Sequence, residues 1–233
     1  MRFRMMFSVL LAFAAPVAVA PIAVTAQEGE APLPPVEEKV LPGNNNLRAL
    51  GQIQDYMKAV TSLKASFRQH APNGTVAQGT LYLERPGYIR FDYTDETPFL
   101  VVADGKTLNF VDYEIGQVSK WPVKDTPLRA LLGNSVDLAA LGAHIELDPA
   151  GATGVIALTA QDNDRPELGT ITLYFRQKDE TKGGLQLNSW AVVDAEDRVT
   201  YVELSNQQVN IKLDDKLWEF EDPRGLSKRR RPR

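Results

Sequence analysis

The stretch GTLYLERPGYIRFDY, residues 79–93, predicts a β-hairpin with one apolar face. Apolar and polar side chains alternate on both sides of a central turn, as they do in half-buried strands. The apolar row comprises Leu81, Leu83, Ile89, Phe91 and Tyr93. Pro86-Gly87 turns the chain, and Arg85 falls on the apolar side just before that turn. A guanidinium in this position needs a polar partner at the edge of the apolar face.

The same period of two continues through most of the chain and predicts a series of short strands. They are residues 65–70, 76–85, 88–94, 98–103, 107–112, 116–121, 143–147, 154–160, 169–177, 185–194, 198–206 and 216–221. Short turns separate them, and Asp104-Gly105 between two apolar runs is a strong hairpin signal. We therefore expect a mainly β fold with helices (α+β), whose antiparallel sheet curls or closes.

Residues 46–62 have helical spacing and predict one amphipathic helix before the first strand. Its apolar positions are Leu47, Leu50, Ile53, Met57 and Val60. Asn46 is placed to cap the start of this helix by accepting a backbone N–H.

Residues 124–142, KDTPLRALLGNSVDLAALG, interrupt the strands with a second helical pattern. Thr126 would cap a first short helix, with Pro127 at its first position and Gly133 at its end. Asp137 would begin a second short helix. The insertion is too long for an ordinary strand connection, so we expect it to lie over part of the sheet.

The two ends of the chain differ in composition from the rest. Residues 1–26 hold two arginines, an apolar run and a Val-Thr-Ala cleavage pattern, which predicts a removed secretory signal peptide; the alternative is a membrane anchor that stays. Residues 27–45 predict a disordered, Pro-rich leader, and residues 227–233 a basic tail that is either a solubilising end or an electrostatic docking arm. The signal pattern predicts an exported protein, and the sequence has no cysteine to hold a lipid anchor or form disulfides, so we expect it to be soluble. We expect a monomer.

The charge of the chain argues against a nucleic-acid partner. Between residues 27 and 227 there are 19 basic and 30 acidic residues, a net charge of −11. Such a surface repels phosphates over most of its area.

No motif for a catalytic, metal or cofactor site is present. The two histidines, His70 and His144, have no metal-ligand spacing, and no phosphate-binding glycine loop or nucleophile motif occurs. We therefore expect no catalytic residues, no metal and no cofactor. What remains is a row of aromatics on one sheet face, which either fills a core or lines an apolar cavity. The helical insertion favours a container with a cover.

Five motifs, in this order, resemble the periplasmic outer-membrane lipoprotein carrier family of Gram-negative bacteria (the LolA family). They are Phe67-Arg68-Gln69, Gly79-Thr-Leu-Tyr-Leu-Glu-Arg85-Pro86, Val101-Val-Ala-Asp104-Gly105-Lys106-Thr107-Leu108, Thr126-Pro127-Leu128, and Trp218-Glu-Phe220 with Pro223-Arg-Gly225. The match spans residues 46–226, whereas residues 143–197 match only as generic strands and the tail KRRRPR is outside the pattern.

This resemblance implies a strongly curved, incomplete antiparallel β-barrel with an N-terminal helix and an inserted helical lid. It implies a periplasmic chaperone that takes acylated lipoprotein cargo from an inner-membrane ABC transporter to an outer-membrane acceptor or to the membrane itself. Three alternatives stay open: a lipid-sensing or regulatory half-barrel protein, a lipid-processing enzyme, and a structural β-protein with a filled interior.

The resemblance and the alternation together predict the site residues. On the concave, lipid-binding face we expect Phe67, Leu81, Leu83, Ile89, Phe91, Tyr93, Leu100, Leu108 and Phe110, with Pro127, Leu128 and Leu131 facing them from the lid. Arg90 and Asp92, on the opposite face, should be exposed. In the family the arginine matching Arg85 hydrogen-bonds carbonyls of the closed lid; alternatively, Arg85 pairs with Glu84 or Asp92 at the rim.

Overall fold

Most of the chain forms one antiparallel sheet. The computed structural model describes residues 44–94, 97–134 and 142–225. Their strands are β1 (Ser62–His70), β2 (Val76–Glu84), β3 (Tyr88–Tyr93), β4 (Phe99–Asp104), β5 (Thr107–Asp112), β6 (Gln117–Pro122), β7 (His144–Leu147), β8 (Val155–Gln161), β9 (Thr170–Gln177), β10 (Leu185–Val193) and β11 (Val199–Val209). The α-helices are α1 (Asn44–Ala59) and α2 (Arg129–Leu132).

The sheet is open, with β6 at one edge and β7 at the other. Its order is β6-β5-β4-β3-β2-β1-β11-β10-β9-β8-β7, so neighbours in the chain are neighbours in the sheet except where β1 pairs with β11. This confirms the predicted mainly β fold with an incomplete antiparallel barrel.

The sheet is also strongly curved. Phe91 in β3 and Trp190 in β10 are four strand steps apart, which is about 19 Å in a flat sheet. Their ring centroids are nevertheless 6.2 Å apart. The two halves of the sheet therefore fold toward each other around one inner face.

The hairpin predicted at Asp104-Gly105 is present between β4 and β5. The Asp104 side chain accepts hydrogen bonds from the backbone N–H groups of Lys106 (3.1 Å) and Thr107 (2.8 Å). Gly105 has a φ of 93°, a conformation that glycine adopts without steric cost. Local turn chemistry thus determines the register of these two strands.

Helix α1 packs its apolar stripe into the concave side of the sheet. The stripe consists of Ala49, Ile53, Tyr56 and Met57, and Val60, just after the helix, continues it; all are 2% exposed or less. The prediction included Leu47, which is 61% exposed instead. The helix begins at Asn44 and ends at Ala59, so Asn46 lies within it and does not cap it.

A short segment between β6 and β7 crosses the opening of the sheet. This inserted segment, residues 123–134, contains a 3-10 turn (Val123–Asp125) and α2, which Gly133 ends as predicted. The predicted cap at Thr126 is wrong, because its hydroxyl donates to the Val123 carbonyl and α2 starts three residues later. The second predicted helix, from Asp137, lies outside the described residues.

The last predicted strand, residues 216–221, is wrong. Asp215–Trp218 forms a 3-10 turn, and the chain there runs over the outer face of the sheet. Trp218 packs on Tyr88, with ring centroids 5.2 Å apart. Arg90 donates hydrogen bonds to the carbonyls of Leu217 and Glu219, both at 3.0 Å, so the prediction of an exposed Arg90 is also wrong.

The covered outer face holds a second, smaller core. It consists of Leu100, Val102 and Val111, with Val118 and Phe220 against them. The assignment of Leu100 to the concave face is therefore wrong, since Leu100 pairs with Asp92 and shares its side of the sheet. Val101, which pairs with Phe91, occupies the inner position instead.

The predicted signal peptide, nearly all of the leader and the basic tail lie outside the described residues. Among the residues that are described, no helix is long and apolar enough to cross a membrane.

Candidate functional site

The inner face of the curved sheet is the candidate site. Eight of the nine predicted positions lie on it: Phe67, Leu81, Leu83, Ile89, Phe91, Tyr93, Leu108 and Phe110. All but the partly buried Tyr93 are 7% exposed or less, and they pack with α1 and α2 in one apolar cluster.

Aromatic rings fill the centre of this face. The ring of Phe67 meets Phe91 and Tyr93 edge to face, at centroid distances of 5.2 and 5.3 Å. Gly79 pairs with Phe67 across the strands, and a Cβ there would lie 2.9 Å from the Phe67 ring and closer still to the Asp92 carbonyl. A glycine at this position thus leaves room for the Phe67 ring.

The other half of the sheet contributes equally to the inner face, and the site prediction missed it. Its buried side chains include Ile156, Leu158, Ile171, Leu173, Phe175, Leu187 and Trp190. Alternation within residues 169–177 and 185–194 is the signal that identifies those in β9 and β10.

Arg85 is buried where the β2–β3 turn meets α1 and the inserted segment. It is 7% exposed. Its guanidinium donates to the Leu131 carbonyl at 3.1 Å and to the Val60 carbonyl. It also lies 5.8 Å from the centre of the Tyr56 ring, within the range of a cation–π contact. The partners of Arg85 are therefore backbone carbonyls, while Asp92 pairs with Arg90 at 2.6 Å.

Burial governs the titration of this arginine and of its aromatic neighbour. Desolvation lowers the pKa of Arg85, although the nearby Tyr56 opposes that shift. Desolvation likewise raises the pKa of the Tyr56 hydroxyl, against the positive charge of Arg85. Arginine stays protonated in proteins, so at neutral pH this is a cation beside a neutral phenol.

A backbone hydrogen bond adds to the contact between the hairpin and α2. The Gly87 N–H donates to the Leu132 carbonyl at 3.0 Å, next to the carbonyl that Arg85 holds. Two successive carbonyls at the end of α2 are thus bound to the β2–β3 turn. Of the other predicted lid residues, Leu131 is fully buried, Pro127 is buried and Leu128 is partly buried against the core.

An ionic cluster ties the inserted segment to the β8–β9 loop. Arg165 in that loop contacts Asp125 at 2.5 Å and Asp162 at 2.9 Å. Arg129 in α2 contacts Asp162 at 3.2 Å. Burial opposes ionisation of Asp162, but the hydrogen bond from Arg165 and the charge of Arg129 outweigh it and lower its pKa.

No group of three or more metal-ligating side chains occurs within residues 44–94, 97–134 and 142–225. His70 lies 3.7 Å from Glu203 on a partly exposed strand position, and His144 is exposed at the start of β7. Both histidines thus lie away from the inner face, and the arrangement around that face is apolar with one buried cation at its rim.

The family model and several curated relatives point to one family. The family model described as outer membrane lipoprotein carrier protein LolA matches residues 58–221. An outer-membrane lipoprotein carrier protein of Chromobacterium violaceum is 25% identical over 185 residues, covering 76% of this chain and 85% of its own length. One of Halorhodospira halophila is 27% identical over 197 residues, covering 78% and 86%.

Among solved structures, a LolA superfamily protein from Nitrosomonas europaea aligns with 76% of this chain and 97% of its own, at 10% identity and a TM-score of 0.42. The family model spans well over half of the chain. This protein therefore belongs to the outer membrane lipoprotein carrier protein LolA family.

Proposed function

We propose that this protein is a periplasmic chaperone for lipoproteins and not an enzyme. It receives acylated cargo from an inner-membrane ABC transporter and passes it to an outer-membrane acceptor or to the membrane itself. Family membership and the names of the relatives support this proposal. The observation that carries it furthest is the hydrogen bond from Arg85 to the Leu131 carbonyl, which ties a short helix over an apolar face.

Acyl chains explain why such a carrier needs an apolar interior. Exposing hydrocarbon to water costs about 0.8 kcal/mol per methylene, so an acylated protein does not cross an aqueous gap unaided. In this proposal, the aromatic and aliphatic side chains of the inner face replace the membrane around the acyl chains during transit.

The inserted segment acts as the lid in this proposal. Ala130, Leu131 and Leu132 are buried against the same cluster that the acyl chains would contact. Cargo therefore enters by displacing α2, and departure of the cargo lets α2 return to its apolar and hydrogen-bonded contacts. Recovery of those contacts offsets part of the cost of release, which suits a carrier that transfers cargo without hydrolysing ATP itself.

Bound cargo is the direct test. The protein is purified from cells that make lipoproteins, extracted with organic solvent and examined by mass spectrometry. We expect acylated peptides in the extract, and binding of a synthetic triacylated peptide at least a hundredfold tighter than of its unacylated counterpart. An empty extract, together with equal affinity for the two peptides, would contradict the proposal.

A further inference from the structure

A second concave surface lies at the end of the sheet, beside the inserted segment. This side groove has a volume of about 650 Å³ and is open to solvent. Its walls are the β2–β3 turn, the β4–β5 turn, the end of β6 and α2. None of the nine residues predicted for the inner face lines it.

The floor of the side groove is apolar. Trp121, Pro86 and Pro122 are its accessible apolar residues, and the buried Val123 and Leu132 lie beneath them. Trp121 is half-buried, and the two prolines are exposed. A hydrocarbon chain of modest length could lie on this floor in contact with aliphatic and aromatic carbon.

The rim of the side groove is cationic. Lys106, Lys120, Lys124 and Arg129 line it, and no acidic residue is among the described lining residues. Arg129 is engaged with Asp162, but the three lysines are exposed. Within the described part of the chain, Lys106 and Lys124 form no salt bridge. A cluster of this kind stands out on a chain whose residues 27–227 carry a net charge of −11.

An apolar floor beneath a cationic rim is complementary to an anionic amphiphile. We propose that the side groove binds an anionic phospholipid at a membrane surface, with its hydrocarbon against Trp121, Pro86 and Pro122 and its phosphate among the lysines. Trp121 suits this place, because indole rings favour the boundary between headgroups and hydrocarbon. Lysine clusters are attracted electrostatically to anionic lipid surfaces.

The composition of the groove favours lipid over an acidic peptide. A docked peptide brings N–H and C=O groups that need partners once they are buried. Besides the four cations, Thr107 and Trp121 supply the polar side-chain groups among the lining residues, whereas an acyl chain needs no such partners.

Lipid in the side groove would touch the same helix that the β2–β3 turn holds. Leu132 is among the residues that line the groove, and its carbonyl accepts the hydrogen bond from Gly87. This orientation would present the inserted segment to the bilayer. The proposal relies on the proposed function only for the reason that the protein meets a membrane.

Vesicle sedimentation tests the proposal on the protein with its basic tail in place. Vesicles contain phosphatidylcholine alone or with 30% phosphatidylglycerol. The charge variant is Lys106→Gln/Lys120→Gln/Lys124→Gln. The matched control removes three exposed lysines elsewhere, Lys58→Gln/Lys178→Gln/Lys212→Gln. We expect binding only to anionic vesicles, about tenfold weaker for the groove variant and less than twofold weaker for the control.

Tryptophan fluorescence separates the groove from general attraction. Anionic vesicles should shift the emission to shorter wavelength, and the shift should vanish in Trp121→Phe. Equal losses in the two lysine variants, equal binding to neutral vesicles, or an unchanged shift in Trp121→Phe would each overturn the proposal. Tighter binding of a polyglutamate peptide than of anionic vesicles would overturn it as well.

Capture of the synthetic triacylated peptide distinguishes this proposal from the proposed function. The groove variant should bind that peptide as the unaltered protein does, because its interior is intact. Vesicle binding without peptide capture would refute the carrier function and leave the groove proposal standing. Peptide capture without vesicle binding would refute the groove proposal and leave the carrier function standing.

Discussion

Arg85 joins three parts of the molecule through one side chain: the β2–β3 turn, the end of α1 and α2. In Arg85→Leu, the buried carbonyls of Leu131 and Val60 lose their donor, at a cost of about 1–3 kcal/mol each. Loss of the Leu131 bond weakens closure of the inserted segment, so release of cargo recovers less energy. We expect the variant to fold and to capture triacylated peptide, but to pass it at least tenfold more slowly to vesicles carrying an outer-membrane acceptor.

Two further variants separate this role from general stability. Arg85→Lys keeps the charge without the planar fork, and should transfer at an intermediate rate. Arg90→Leu also removes bonds to two carbonyls, but on the outer face, and should lower the melting temperature without slowing transfer. Normal transfer by Arg85→Leu would rule out the proposed role.

At the residue scale, the hairpin pattern was enough to predict the position of Arg85 but not its partners. The period of two predicts that Arg85 lies on the apolar side of the strand. The carbonyls of Val60 and Leu131 come within reach of Arg85 only in the folded chain. Leu100 shows where the period fails. All of Leu100–Ala103 is buried, because the C-terminal segment covers the outer face, so the sequence offers no alternation from which to choose a side.

The inserted segment is held on its second side by charge. Asp162 has a pKa below its ordinary value. Its stabilising contribution is therefore fully present above the unfolded-state pKa of about 4, and it is lost as pH falls through the lower folded-state pKa. At neutral pH the cluster is therefore intact, and salt rather than mild acid weakens these partly exposed pairs.

Replacing Arg165 with glutamine should loosen this attachment. The variant loses the contacts to both Asp125 and Asp162. We expect trypsin to cleave after Lys124 and Arg129 about three- to tenfold faster than in the unaltered protein at low salt, and the difference to shrink in 1 M salt.

Arg198→Gln is the matched control for charge, because it breaks an arginine–aspartate pair of 2.7 Å in the β10–β11 turn. Its cleavage rate at the inserted segment should not change. If both variants accelerate cleavage there equally, the ionic cluster has no specific effect on the inserted segment.

At the element scale, strands with clear alternation were predicted to within a few residues, and the Asp104-Gly105 turn was predicted in place. Two elements were not. Residues 216–221 have strand composition, but they do not pair with any strand of the sheet. They cover its outer face instead. Thr126 is a residue type that often caps helices, but its hydroxyl donates to the Val123 carbonyl instead.

On the scale of the whole molecule, occupation of the interior should speed amide exchange around the inserted segment and leave the β1–β11 ladder no faster. When triacylated peptide binds, the N–H groups of Gly87 and Val123, which bond to Leu132 and Lys106, should exchange with solvent faster as the inserted segment moves. Amides in the β1–β11 ladder should exchange no faster. Hydrogen exchange with mass spectrometry measures both, and the unacylated peptide should change neither. Unaltered exchange around Gly87 on saturation would contradict displacement of α2.

The overall curvature was predictable, and the closeness of the two halves was not. Short antiparallel strands around an aromatic face imply a curled sheet, as the structure confirms. That Phe91 meets Trp190 depends on the amount of curl. Bulges in β11 and β10, which increase local twist, and the packing of α1 against the inner face both contribute to it. Those quantities arise from packing over the whole sheet and leave no local signal.

The pairing of β1 with β11 has a consequence for how the chain assembles. Ser66 and Asn206, in contact across this seam, are 140 residues apart in sequence. The other strand pairs join neighbours in the chain, so they close short loops and can form early, while the seam must close a long one. A chain delivered from its N-terminus would therefore hold β1 unpaired on one side until β11 followed. If the chain is exported unfolded, its local hairpins can still form quickly. The inner face is complete only when the last strand, β11, has paired with β1.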